Sequence, residues 1–328
     1  MILNDEKTDY NPLNLPIDFV KYYGGNIDEV KIFAGPARIN IIGEHIDYNG
    51  GKVFPAAINK YIYIAIRKTS DTKITYNDLK FPGSYSFDIN DDFKFSKENN
   101  YANYLNGIIS IIKRRGYVLK CGFQILIVSN IPAAGGISSS SALECTFAFA
   151  LSETFNLEIP RKEIAIIGQQ SEHEFMNVKC GIMDQYIIAT AKVNTAEVLD
   201  CAKIEHEYIP LELGDYRFVI MNSKKKRQLA DSKYNERREQ CEKGLEIIRK
   251  ISSKIKDSAI LNYDNLENLC SLTMEQFLSI CNYIDDEVIL KRVRHCVTEN
   301  QRVKDAVEAL KKSDLIKLGQ LLCESHKS

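Results

Sequence analysis

The sequence predicts two domains, the first mixing strands with helices and the second almost wholly helical, and three observations carry this. At 328 residues the chain is long enough for two domains of ordinary size. A content of 45% hydrophobic and 27% charged residues is that of a folded chain and not of a disordered one. Hydrophobic spacing then changes from a mixture of periods to an unbroken helical period at about Leu229. Taken in order, "EVKIFA" and "YIYIAIRK" alternate as strands, "YANYLNGIISIIKR" has helical period, and "GFQILIVS" is another strand. Residues 138–155, 160–175 and 181–191 read as helices, with short strands near 197–201 and 216–222. Past Leu229, "SKYNERREQCEKGLEIIRKI" and "EVILKRVRHCVTENQRVKDAVEALKK" are long amphipathic helices. No Pro- or Gly-rich linker and no internal repeat marks a seam, so the boundary falls near residue 200, dividing 1–200 from 201–328.

A formal net charge of -1 offers no global attraction to nucleic acid or to an anionic membrane. The run "KKKR" at 224–227 reads as a solvated turn at a strand end, with a nucleic-acid patch as the sharper alternative. The expected partner is a small molecule. The first residues, "MILNDEKTDYNPLN", lack the basic and apolar regions of a signal peptide, and no window is long and apolar enough to span a bilayer. Nine cysteines, without any Cys-x-x-Cys pair, read as buried thiols of a reducing compartment. A cytoplasmic location follows as the expectation.

Three clusters carry chemistry. "GEHIDYNGGKVFP" concentrates Glu44, His45, Asp47 and Tyr48 just before Asn49-Gly50-Gly51, which breaks any helix, so the cluster sits on a loop. Metal ligands on a helix would need to share one face. A ligand rich in hydroxyls is the other reading. In "SNIPAAGGISSSSALECTFAFALSE" a strand ends, Gly135-Gly136 let the backbone approach a ligand, and serines open an apolar helix. The first turn of such a helix offers free N–H groups to a di- or triphosphate, and serine oxygens suit Mg²⁺. A flexible Gly/Ser connector with a serine cap is the plainer alternative. Neither a Walker loop nor a Gly-x-Gly-x-x-Gly fingerprint is present. In "SEHEFMNVKCGIMDQ", Glu172, Glu174 and Asp184 flank a break at Gly181. Each acid taken singly is an ordinary salt-bridge partner or cap. Together the three clusters are the parts of a phosphotransferase.

The chain resembles the galactokinases of the GHMP kinase superfamily. The resemblance is carried by "PARINIIGEHIDYNGGKVFPAAI", "PAAGGISSSSALE" and "CGIMDQ", with further similarity in "KKRQLADSKYNERREQCE" and "RVRHCVTEN". It implies an α+β fold of two domains with the site in the cleft between them, and an uncommon left-handed βαβ crossover in the first. It also implies transfer of phosphate from ATP to the anomeric hydroxyl of galactose. On this resemblance Glu44, His45 and Asp47, with Ile46 between them, would hold the sugar together with Gly181 and Tyr234. Asp184 would act as base and Arg38 beside it would keep it ionised. Ala134, Gly135, Gly136, Ile137, Ser138, Ser139 and Ser140 would wrap the phosphates, and Ser140 with Glu172 would hold Mg²⁺. The family usually has glycine where Ala134 stands. Its third glycine-rich motif, which closes the site and adds strands to the second domain, has no counterpart up to Ser328. An incomplete second domain with exposed apolar surface, and hence self-association, is the expectation, and turnover becomes a question for experiment. Two other functions share the pattern: a galactose- and ATP-binding regulator with impaired catalysis, and an N-acetylgalactosamine kinase.

Overall fold

The computed structural model describes residues 10–132, 135–222, 232–252 and 266–328. In chain order these form α1 (Leu15–Tyr23), β1 (Lys31–Asn40), β2 (Lys52–Val53), β3 (Pro55–Lys68), β4 (Lys73–Asp78), β5 (Ser84–Asp88) and α2 (Ala102–Arg114). Then come β6 (Phe123–Ser129), α3 (Ser139–Phe155), α4 (Arg161–Glu174), α5 (Met183–Thr190), β7 (Thr195–Asp200) and β8 (Glu205–Pro210). The last described elements are α6 (Ser232–Ser252), α7 (Met274–Ile280), α8 (Glu287–Lys311) and α9 (Leu315–Lys327).

The main sheet has the order β1-β3-β6-β4-β5, and only β6 and β4 run parallel. Strand alternation decides its two faces. Ile62, Ile64 and Ile66 of β3 and Ile125 and Ile127 of β6 point into the large core with α2 and α3, whereas Ala65, Leu126 and Val128 meet Leu15 and Phe19 of α1. Helix α3 is buried on nearly every side, which explains why its apolar residues follow no stripe. A second sheet, β2-β7-β8, pairs Lys52 and Val53 with Asp200 and Leu199, and so fixes where the loop after β1 returns. Helices α6 and α8 touch at Gly244, where a Cβ would come within 2.8 Å of Val293. The core runs without interruption from the main sheet into these helices.

Two expectations change. Residues 216–222 form no strand: no strand pairs with them among the described residues, and Val219 and Met221 remain 81% and 88% exposed. The partner of β7 is instead the more polar 205–210 stretch. All nine cysteines are free thiols, but only Cys145, Cys241, Cys270 and Cys296 are buried and Cys323 is exposed. "KKKR" at 224–227 and Ala134 lie outside the described residues. No described helix is long and apolar enough to cross a membrane.

Candidate active site

Strand β1 carries Arg38 towards the N-terminus of α5, where Asp184 occupies the first turn. The two side chains form a bidentate pair: Arg38 Nε donates to Asp184 Oδ1 at 2.7 Å and Nη2 to Oδ2 at 2.5 Å. A planar fork on a carboxylate fixes direction as well as charge. Arg38 Nη1 also donates to the Gly136 carbonyl at 3.2 Å, and the Arg38 amide to that of Ile137 at 3.3 Å, which ties the glycine loop to the same strand.

Ser138 precedes α3 with φ of 62°, and its hydroxyl does not cap the helix. It donates to Asp184 Oδ2 at 2.5 Å instead. The first turn of this helix therefore keeps its amides free of a side-chain cap, beside Gly135, Gly136 and Ser140 in the cleft wall. Free amides at the positive end of a helix dipole suit phosphate oxygens. Ser139, expected among the phosphate ligands, is exposed and is not among the residues lining the cleft. Ser141 lines it instead, being nearly fully buried.

Glu172 of α4 lies deep in the cleft; burial pushes its carboxyl up to about 7, the Ser140 hydroxyl lowers it and the Asp184 charge raises it. Behind it Glu144 of α3 is fully buried, and burial followed by the charge of Glu172 drives it well above the ordinary carboxylate range. Two acids so close favour a shared negative charge over two separate ones. A carboxylate oxygen and a serine oxygen are hard donors that fit Mg²⁺. Among the described residues no cluster of three or more metal-ligating side chains exists.

Across the cleft the loop after β1 makes one turn of 3-10 helix at Asp47–Asn49. The Ile46 carbonyl accepts from the Asn49 and Gly51 amides at 3.0 and 2.8 Å, and Asn49 Nδ2 donates to the His45 carbonyl at 3.0 Å. These bonds make the loop a rigid unit. Ile46, expected among the sugar-binding residues, buries its side chain completely in the core. Glu44 opens to the cleft but is crowded by its walls, and desolvation followed by the charge of Glu299 pushes it up to about 7. Desolvation followed by Asp184 pushes Asp47 up to about 6. Asp47 lies directly under Gly181, where any Cβ would stand 1.8 Å from Asp47 Oδ2. The Gly181 amide donates to Tyr234 Oη at 3.4 Å, and the Tyr234 ring packs on Tyr48 and His45.

Arg237 of α6 donates to His45 Nε2 at 2.8 Å, so the other ring nitrogen carries the proton and donates to Tyr48 Oη at 3.1 Å. The cleft between these walls has a volume of about 1040 Å³, enough for two ligands side by side. It brings together Arg38, Glu44, His45, Asp47, Glu172, Gly181, Asp184 and Tyr234, which are scattered over nearly two hundred positions of sequence. Sequence reasoning missed Ser141 and Arg237. The one signal for Arg237 was its position three residues after Tyr234, on the same helix face.

Family models, curated relatives and a solved structure match this chain. Residues 17–68 match the galactokinase galactose-binding signature and residues 103–192 the N-terminal domain of GHMP kinases. A galactokinase of Clostridium tetani is 40% identical over 321 residues, 98% of this chain and 78% of that protein. One of Streptococcus suis is 41% identical over 94% of this chain and 76% of its own length. The crystal structure of Lactococcus lactis galactokinase complexed with galactose superposes with a TM-score of 0.87 at 37% identity, over 95% of this chain and 78% of that one.

Proposed function

Because the chain belongs to the galactokinases of the GHMP kinase superfamily, we propose that this cleft is where it transfers phosphate from ATP to the anomeric hydroxyl of galactose, giving galactose 1-phosphate. The observation that carries the assignment of roles is the bidentate Arg38–Asp184 pair, set between an uncapped helix N-terminus and a loop rich in carboxylates.

On this reading the sugar lies against Glu44, Asp47, Gly181 and Tyr234, with its anomeric hydroxyl at Asp184. Ionised carboxylates accept from sugar hydroxyls, and a hydroxyl in the wrong position leaves a charge unpaired, which discriminates epimers. His45 joins this set by exchanging its bond to Arg237, the exposed partner of the pair, for a sugar hydroxyl. The anomeric oxygen attacks the terminal phosphorus of ATP, its proton passes to an Asp184 oxygen, and the bond from phosphorus to the bridging oxygen of ADP breaks. Arg38 orients the Asp184 carboxylate through its bidentate pair and stabilises charge on the moving phosphoryl group. Gly135, Gly136, Ile137 and Ser140 hold the phosphates through backbone amides and a hydroxyl, with Ser138 fixing the angle of Asp184.

Ser140 and Glu172 would hold Mg²⁺, which neutralises phosphate charge and aligns the leaving group. The division of labour follows the chain: residues up to about 200 supply the chemistry, and 201–328 supply Tyr234 and support for the sugar loop. Incubation of the chain with Mg-ATP and galactose, followed by phosphorus resonances, tests the reading. A sugar-phosphate resonance that requires galactose is the expected result, and its absence with ATP intact would refute it.

A further inference from the structure

The stretch "RVRHCVTEN" has no part in the chemistry above, yet in the structure it grips the sugar loop at both ends. His295 and Glu299 lie one turn apart on α8, and Asn300 follows. His295 Nε2 donates to the Glu44 carbonyl at 2.9 Å. Glu299 Oε1 accepts from the Gly43 amide at 2.9 Å, and Asn300 Oδ1 accepts from the Lys52 amide at 2.9 Å. Between these anchors the loop is closed by its own hydrogen bonds, so its remaining freedom is rotation about its two ends.

Glu299 is the centre of the grip. It is fully buried, and besides the Gly43 amide it accepts from Ser325 Oγ at 2.6 Å and, through Oε2, from Arg302 Nε at 2.7 Å. Three donors converge on one carboxylate that has no proton to give, an arrangement only the ionised acid completes. Gly43 itself has φ of 107°, and a Cβ there would meet Val53, Lys52 and Val303 at 3.0 to 3.1 Å. The backbone at this point thus has no side chain of its own by which to be located; the bond to Glu299 locates it.

We infer that Glu299 is a positioning residue of the sugar site, holding Gly43 so that the Glu44 and Asp47 carboxylates meet the sugar in register. This rests on the galactose reading above. It requires no contact between Glu299 and substrate, and it predicts an effect on the sugar alone, since the phosphate wall hangs on β1, α3 and α5.

The test uses Glu299→Gln, which keeps shape but turns an amide N–H₂ against donors, and Asn300→Ala, which releases only the Lys52 end. Kinetics and galactose calorimetry are run at about pH 8, above the value of Glu44, so that loss of the Glu299 charge does not act through protonation of Glu44. The expected result for Glu299→Gln is a galactose KM and Kd raised about tenfold with kcat and the ATP KM within about twofold, as for one lost charge-assisted hydrogen bond. Asn300→Ala moves the same two quantities by less. An unchanged galactose KM, an equal rise in both KM values, or a fall in kcat alone would overturn the inference. If Glu299→Gln melts below the assay temperature, Asn300→Ala decides by the same criteria. A wild-type chain that neither binds nor phosphorylates galactose sinks the underlying reading as well, whereas a normal wild type with a wild-type-like Glu299→Gln sinks this inference alone.

Discussion

The two walls of the cleft solve opposite electrostatic problems. On the phosphate wall the charge of Asp184 is already engaged: two Arg38 nitrogens and the Ser138 hydroxyl take its oxygens, at 2.5 to 2.7 Å. On the sugar wall Glu44 and Asp47 are crowded and pushed up to about 7 and 6, and Arg38 offsets each only in part. One wall is finished before ligand arrives, as a group meant to hold one orientation through a reaction must be. The other holds carboxylates that burial disfavours, and on the galactose reading sugar hydroxyls would add the hydrogen bonds that offset it, which would make that wall selective. Which wall a substitution touches should therefore decide whether turnover or sugar affinity suffers.

The largest expected effect comes from the finished wall. Asp184→Asn preserves shape but removes the charge between Arg38 and the anomeric hydroxyl, and kcat should fall by about 10² to 10⁴. Galactose binding should remain measurable by calorimetry, because the loop at residues 43–52 is untouched. Full turnover in this variant would show that the pair is structural. Next in size is Gly181→Ala, which sharpens the comparison from the other side. The new Cβ would stand 1.8 Å from Asp47 Oδ2, so the loop must shift and galactose affinity should drop by roughly one to two orders of magnitude. An unaltered Kd would mean that Asp47 has room to move and does not set the sugar's position.

The same contrast shows what the sequence makes legible. The phosphate wall reads well because its signals are local: Gly135-Gly136 before a run of serines at the start of an apolar helix announces free amides whatever packs around them. The break at Gly181 ahead of Asp184 is local too. What could not be read depends on contacts distant in sequence. That Ser138 serves Asp184 and not its own helix requires α5 to lie beside α3. That Glu299 holds Gly43 spans 256 positions. The apolar run at 216–222 looks like a strand but lacks a partner among the described residues, whereas the charged alternation at 205–210 has β7 beside it. Ile46 shows the limit within a motif, since one residue between two cleft-lining neighbours turns into the core and spacing on a loop has no period to reveal it.

A smaller effect should appear with pH. Glu44 and Asp47 offer both oxygens as charged hydrogen-bond acceptors only as carboxylates, and they are pushed up to about 7 and 6 instead of near 4. As pH falls from about 8 to 5.5 both take up protons, and galactose affinity should weaken by about tenfold. A flat profile would remove the electrostatic distinction between the walls, since it would mean that these acids stay ionised or do not contact the sugar.

The smallest prediction asks whether a raised carboxyl by itself marks a ligand site. Glu197 of β7 is fully buried away from the cleft, accepts from the Thr190 hydroxyl on both oxygens, and is pushed up by burial to about 7 from an ordinary 4.5. Its folded form thus binds a proton more tightly than its unfolded form, so the contribution of this group to stability is greatest below about 4.5 and declines as pH rises to about 7. Glu197→Gln removes that titration while keeping an acceptor for Thr190. Thermal melts should therefore give near-equal Tm values at pH 5 and a variant more stable at pH 8 by on the order of 1 to 3 kcal/mol, or a few degrees. Galactose affinity should not change. If it does, upward shifts alone do not separate carboxyls that serve the fold from those that serve the sugar. If only stability moves, what distinguishes Glu44 and Asp47 is that they are crowded and yet open to the cleft, whereas Glu197 is crowded and closed.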